Sequence, residues 1–118
     1  MKQVLIIGFD PAQIPGYDPA PVLAAFKASD QLFEAAKVGY RWCTFGLDPD
    51  AALTAIEQCF AANETYDCII IGGGIRKPDD CVALFEKIVA KLRELAPTTP
   101  FAFNTNPTTC LDAALRWI

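Results

Sequence analysis

Histidine is absent from the 118-residue chain, and serine occurs only once, as Ser29. The absence of imidazole excludes Ser-His-Asp hydrolysis, histidine-ligated zinc and histidine acid–base catalysis. Positive charge is also scarce, since 10 Lys and Arg residues face 14 Asp and Glu residues for a net charge of −4. A protein with this charge balance is poorly suited to a polyanion, so we predict no nucleic-acid partner.

Long apolar runs are missing as well. No stretch approaches the roughly 18 residues that a membrane-spanning helix needs. The first eight residues carry one positive charge and four consecutive apolar residues, which predicts a first strand and not a signal peptide. We therefore expect no membrane partner.

The five cysteines are odd in number and lie at least nine residues apart, so the sequence contains no CxxC pair and no zinc pattern. Unpaired thiols indicate a reducing compartment, and we predict a cytoplasmic protein. Cys81 and Cys110 fall in first helical turns, where the helix dipole can activate a thiol. Asp79 and Asp80 flank Cys81 and oppose this, and buried cysteine is common in protein cores, so a thiol-redox role is only an alternative.

Enough apolar material is present for one core, because 53% of the residues are hydrophobic. At about 150 residues per domain, the length predicts a single domain over residues 1–118. Apolar runs at 4–7, 40–45, 68–71 and 101–103 alternate with helical patterns. The helices are predicted to begin at Asp18-Pro19, at Asp48-Pro49, near Asp79, and near Asn106-Pro107 or Thr108. Gly39 is predicted to end the first helix as a left-handed cap.

This strict alternation predicts an α/β protein with parallel strands joined by right-handed crossovers. A small doubly wound sheet, flavodoxin-like or Rossmann-like, satisfies the pattern. We expect four parallel strands in the order 2-1-3-4 with helices on both faces.

In such a sheet, ligands bind beyond the carboxyl ends of the strands, where the strand order reverses. For the order 2-1-3-4 this point lies between strands one and three. The loops at 8–11, 72–77 and 104–109 leave the sheet at that edge. The predicted ligand-binding residues on them are Asp10, Gly72, Gly73, Gly74, Arg76, Asn104 and Thr105.

The three consecutive glycines followed by Arg76 and Lys77 suggest a cradle for an anion, with Arg76 paired to a phosphate or carboxylate. The alternative is a tight turn with solvated cations. No cofactor motif fits: a dinucleotide fingerprint needs glycine where Lys77 stands, and a Walker A motif fails because Pro78 follows Lys77. We therefore predict no cofactor.

Two other positions keep open alternatives. Asp10 is a candidate general base or hydroxyl acceptor, but an Asp-Pro turn gives the same pattern. Asn104 and Thr105 are candidate ligand contacts, although hydrogen bonding around the helix start at Asn106-Pro107 gives that segment an ordinary structural role.

The segments GFDP (8–11), IGGGIR (71–76), LFE (84–86) and FNT (103–105) resemble a group of small uncharacterised microbial α/β proteins. The resemblance covers nearly the whole chain. The resemblance implies the α/β fold alone. It assigns no activity, cofactor or catalytic residue to this chain. It also draws attention to the loop edge that the topology selects.

Taken together, the residues predict a domain that binds an anionic small molecule, a phosphate or carboxylate, at the carboxyl edge of the sheet. Whether it is also an enzyme stays open, with Asp10 or Lys77 available for proton transfer. The alternative is a non-catalytic homodimeric interaction module. Its contact would use the fourth-strand edge or the last helix, through Phe101, Phe103, Trp117 and Ile118.

Overall fold

A computed structural model describes residues 1–118 and contains one four-stranded parallel sheet. The strands are β1 (Gln3–Phe9), β2 (Gly39–Phe45), β3 (Cys68–Ile71) and β4 (Phe101–Ala102). They pair in the order β2-β1-β3-β4. The predicted class, parallel pairing and strand order are confirmed. β1 and β2 are longer than predicted, and β4 is one residue shorter.

Five helices connect or follow the strands. They are α1 (Ala20–Ala36), α2 (Pro49–Cys59), the single turn α3 (Gly73–Arg76), α4 (Val82–Leu95) and α5 (Cys110–Leu115). Short 3₁₀ segments precede α4 and α5, at the residues where those helices were predicted to begin. None of these helices combines the length and the apolar character that crossing a membrane would require.

The sheet is covered on both faces, as predicted. Alternation along β1 sends Leu5 and Ile7 to one face and Val4 and Ile6 to the other. The first face packs against α2 and α4 in a cluster of 14 buried residues, and the second packs against α1 and α5 in a cluster of nine. All four residues of β3 are buried because the strand is central and covered on both sides.

The two ends of α1 differ from the prediction. Pro19 and not Asp18 is the N-cap residue, while the Asp18 carboxylate accepts a hydrogen bond from Ala20 N–H at 3.1 Å. At the other end, Lys37 takes the left-handed conformation (φ 58°) that was assigned to Gly39. Gly39 is instead the first residue of β2, where it pairs with Gln3.

The N-terminal half of α1 contains no fully buried residue. Only Ser29 and Phe33, both in its second half, are fully buried. Val22 and Phe26, in its first half, line a cavity between the helix and the carboxyl ends of the strands.

Candidate functional site

The principal cavity lies at the edge predicted from the strand order. Its volume is about 580 Å³, within the range of small-molecule sites. The end of β1 contributes Gly8 and Phe9, the turn after β3 contributes residues 72–74, and the segment 104–107 forms a further wall. These segments meet at the reversal point between β1 and β3, so the structure contains a concave site where the topology predicts one.

The interior of the cavity is largely apolar and aromatic. Ile6, Phe26 and Trp42 form one wall, and Tyr17 and Leu47 lie toward solvent. The Phe26 and Trp42 rings stack with centroids 4.3 Å apart and an interplanar angle of 18°. The Trp42 indole Nε1 donates to Asp30 Oδ1 at 2.6 Å, which fixes the orientation of its ring. The wall is therefore ordered and suited to an apolar group.

Gly8 forms part of the floor at the end of the central strand. It follows Ile6 on the same face of β1, and no atom lies within 4 Å of the position that a Cβ would occupy. Its φ is not positive, so a larger residue is compatible with the backbone. The absence of a side chain at Gly8 leaves space in the cavity.

The three consecutive glycines do not form the flexible anion cradle that their sequence suggests. Gly72 is the N-cap of α3, and none of the three has a positive φ. Gly72 N–H donates to Ile7 O at 2.8 Å and Gly73 N–H donates to Asn104 Oδ1 at 3.1 Å. Two of the three amides are thus engaged within the protein. A Cβ at Gly72 would lie 3.1 Å from Ile7 O, so glycine suits the close approach of these two backbone segments.

Arg76 does not lie on the cavity wall, in contrast to its predicted role as the anion contact. Its Nε donates to Ile71 O at 2.7 Å, and its Nη2 donates to Asn104 O. The guanidinium also lies 4.9 Å from the centre of the Phe103 ring. Burial lowers the pKa of Arg76 from its ordinary value. The half-buried Arg76 side chain therefore links the loops after β3 and β4. It supports the cavity wall without lining the cavity.

Lys77 is the cation that does line the cavity. Its Nζ donates to Thr105 O at 3.0 Å, which uses one of its three donors. The side chain is exposed and forms no salt bridge. Lys77 therefore provides the positive charge at the position where the sequence analysis placed Arg76.

Asn104 and Thr105 lie on the cavity wall, and they also have structural roles. The Asn104 side chain is buried, its Oδ1 accepts from Gly73 N–H, and its Nδ2 donates to Cys110 Sγ at 3.3 Å. Thr105 N–H donates to Thr109 Oγ1 at 2.9 Å. The contacts of Asn104 and Thr105 hold the loop after β4 against α3 and the start of α5.

Asp10 lies outside this cavity, although it follows the same strand. Its Oδ1 accepts from Ala12 N–H and its Oδ2 accepts from Gln13 Nε2, both at 3.0 Å. It caps the 3₁₀ turn of residues 11–13. The observed contacts of Asp10 are those of the Asp-Pro turn, the structural alternative to a role as general base or hydroxyl acceptor.

The cysteines show no activated thiol at the predicted helix starts. All five are free and buried, and only Cys81 lines the cavity. Burial, with Asp80 as a further contribution, raises the pKa of Cys81. Burial also raises the pKa of Cys110. Both shifts oppose the lowering that the helix dipole suggested, so neither thiol is set up as a nucleophile.

The sequence analysis missed the apolar wall and the open floor of the cavity. Phe26 and Trp42 fitted ordinary core patterns on a helix and a strand, and Gly8 fitted the end of a strand. No local signal in the sequence shows that a cavity lies beside the first half of α1. Comparisons of the chain with protein-family models, curated proteins and solved structures found no match.

Proposed function

We propose that this protein binds a small organic molecule that has an apolar body and an anionic group, such as a carboxylate or a phosphate. The observation that carries the proposal is the cavity of about 580 Å³ at the carboxyl edge of the sheet, with an exposed lysine on its wall. The apolar body contacts the Phe26 and Trp42 wall, and the anionic group pairs with Lys77.

Two physical arguments support this arrangement. Ligand sites in open parallel sheets lie where the strand order reverses, and they combine apolar walls with a few polar groups. Lys77 keeps two ammonium donors free after its contact with Thr105 O, and it forms no salt bridge. A charged donor at the edge of an apolar cavity favours an anion more strongly than a neutral donor does.

A thermal-shift screen against phosphates, nucleotides, flavins and small carboxylates tests the proposal. A ligand at 100 times its Kd adds about 2.7 kcal/mol to the free energy of unfolding. For a domain of this size that raises the Tm by on the order of 10 °C. The screen is run on the wild type beside three variants: Gly8→Leu, Lys77→Met and Lys87→Met.

Each variant has a defined expectation. Gly8→Leu fills the cavity floor and should abolish every ligand shift while the apo Tm is kept or raised. Lys77→Met keeps the apolar stem and should weaken anions at least tenfold, whereas Lys87→Met on the exposed side of α4 should change nothing. A wild-type shift that survives unchanged in Gly8→Leu would place the ligand elsewhere, and a panel without shifts would contradict the proposal.

A second function is favoured by exposed apolar side chains near β4, and we propose it as the alternative: a homodimeric interaction module. Phe103, Leu115 and Trp117 are 45%, 54% and 58% exposed. Arg116 Nη2 donates to Phe103 O at 2.9 Å, which places the end of the chain beside β4. Light scattering should then give a dimer mass that Trp117→Ala reduces to a monomer. A wild-type monomer at micromolar concentration refutes this alternative.

The cytoplasm is the compartment we propose, because five free and buried thiols persist most readily in a reducing environment. Fractionation of cells that produce the full chain, followed by immunoblotting, tests the location. Recovery from an oxidising compartment would contradict it.

A further inference from the structure

Two residues of opposite charge line the cavity. Lys77 and Asp80 are the charged residues among those that line it. They are three residues apart: Lys77 directly follows α3, and Asp80 lies in the 3₁₀ turn before α4. Neither forms a salt bridge, with the other or with any third residue. Both charges are exposed and available to a ligand.

We infer that the ligand is a zwitterion, namely a free α-amino acid with an apolar side chain. This inference rests on the proposed function and specifies its ligand. A carboxylate and an ammonium on one carbon match the neighbouring Lys77 and Asp80. The apolar side chain extends toward the wall formed by Phe26 and Trp42.

Electrostatic matching favours a zwitterion over a ligand with one charge. A simple anion pairs with Lys77 but lies near the uncompensated carboxylate of Asp80, which repels it. A simple cation pairs with Asp80 but is repelled by the nearby Lys77 ammonium. Discrimination of this kind uses an unfavourable contact against the wrong ligand together with a favourable contact to the right one.

Hydrogen-bonding capacity is consistent with this orientation. The Lys77 ammonium donates to Thr105 O and retains two donors for a carboxylate. The Asp80 carboxylate accepts a hydrogen bond from the Cys81 thiol but none from the backbone, so it keeps acceptor capacity for an ammonium. Trp42 also lines the cavity, and its indole N–H needs no partner from a ligand because Asp30 already accepts from it.

Calorimetric titration with two matched series tests the inference. The phenyl series consists of phenylalanine, phenylpropionate and phenethylamine, and the indole series consists of tryptophan, indolepropionate and tryptamine. In at least one series the amino acid should bind at least about tenfold more tightly than the anion or the amine, as expected for one charge-assisted hydrogen bond.

Two variants assign the charges. Asp80→Asn should weaken the amino acid about tenfold and leave the matched anion unchanged or bound more tightly. Lys77→Met should weaken the amino acid and the anion but not the amine, and Gly8→Leu should abolish binding of all three. Fluorescence of the Trp117→Phe variant, in which Trp42 is the remaining tryptophan, should report the titrations of the phenyl series, whose members do not carry an indole.

The outcomes separate this inference from the proposed function. If the anion binds as tightly as the amino acid and Asp80→Asn has no effect, the zwitterion is refuted while anion binding stands. If all six compounds fail to bind but other carboxylates or phosphates bind in the cavity, the amino-acid inference is also overturned. If nothing binds in either experiment, both fail.

Discussion

Arg76→Met should destabilise the protein, because it removes the cation that joins two loops behind the cavity. Nε donates to Ile71 O at 2.7 Å, Nη2 donates to Asn104 O, and the guanidinium lies 4.9 Å from the Phe103 ring centre. Two hydrogen bonds from a charged donor contribute about 3 kcal/mol at the low end of their range. The ring contact adds about 0.5 kcal/mol. Ordering of the half-buried side chain opposes this by about 1 kcal/mol, so the expected loss is about 2.5 kcal/mol.

Urea denaturation followed by circular dichroism measures this loss. With an m-value of about 1.3 kcal/mol per molar, the midpoint should fall by about 2 M. Arg76→Lys should recover less than half of the loss, because one ammonium cannot reproduce the planar fork that reaches both carbonyls. Lys77→Met is the neighbouring control and should stay within about 0.5 kcal/mol of the wild type. An Arg76→Met midpoint within about 0.3 M of the wild type would refute the structural role.

Other perturbations test separate parts of the molecule. Asn104→Leu leaves Gly73 N–H without its acceptor and should lower the free energy of unfolding by about 2 kcal/mol in urea; an unchanged value would contradict the assigned contacts. Burial and a hydrogen bond to Glu64 raise the pKa of Tyr66 from 10.0 to about 12. The unfolded chain therefore loses this proton first, so stability present below pH 10 should decline as the pH rises toward about 12. Tyr66→Phe should reduce that decline, and a profile identical to the wild type would count against it. The five buried thiols should resist a thiol reagent in the native protein and all react after denaturation, so a rapidly reacting native thiol would show that one is accessible.

The prediction of the fold succeeded where local patterns carry the information. The β3 residues form a continuous apolar run because both faces of the central strand are covered. Asp48 and Asn106, each followed by proline, mark helical starts because their side chains cap the first turn. Helix ends were less predictable, since the left-handed position at the end of α1 is occupied by Lys37.

The candidate site was predictable only in its location. Strand order places the reversal point between β1 and β3, so the three exit loops were identified from the sequence. The roles within them were not, because adjacent residues point in different directions after a turn. Arg76 turns inward to two carbonyls, and Lys77 lines the cavity.

The sequence by itself predicted the α/β class, the strand order and the sheet edge at which the cavity lies. These follow from the alternation of apolar runs and helical patterns and from the handedness of parallel crossovers. Only the tertiary structure decided that a cavity exists there, that Phe26 and Trp42 form its wall, and that Lys77 and Asp80 present its charges. The physical reason is that cavity shape and side-chain direction depend on how α1 and the loops pack against the sheet, and contacts between residues distant in sequence set that packing.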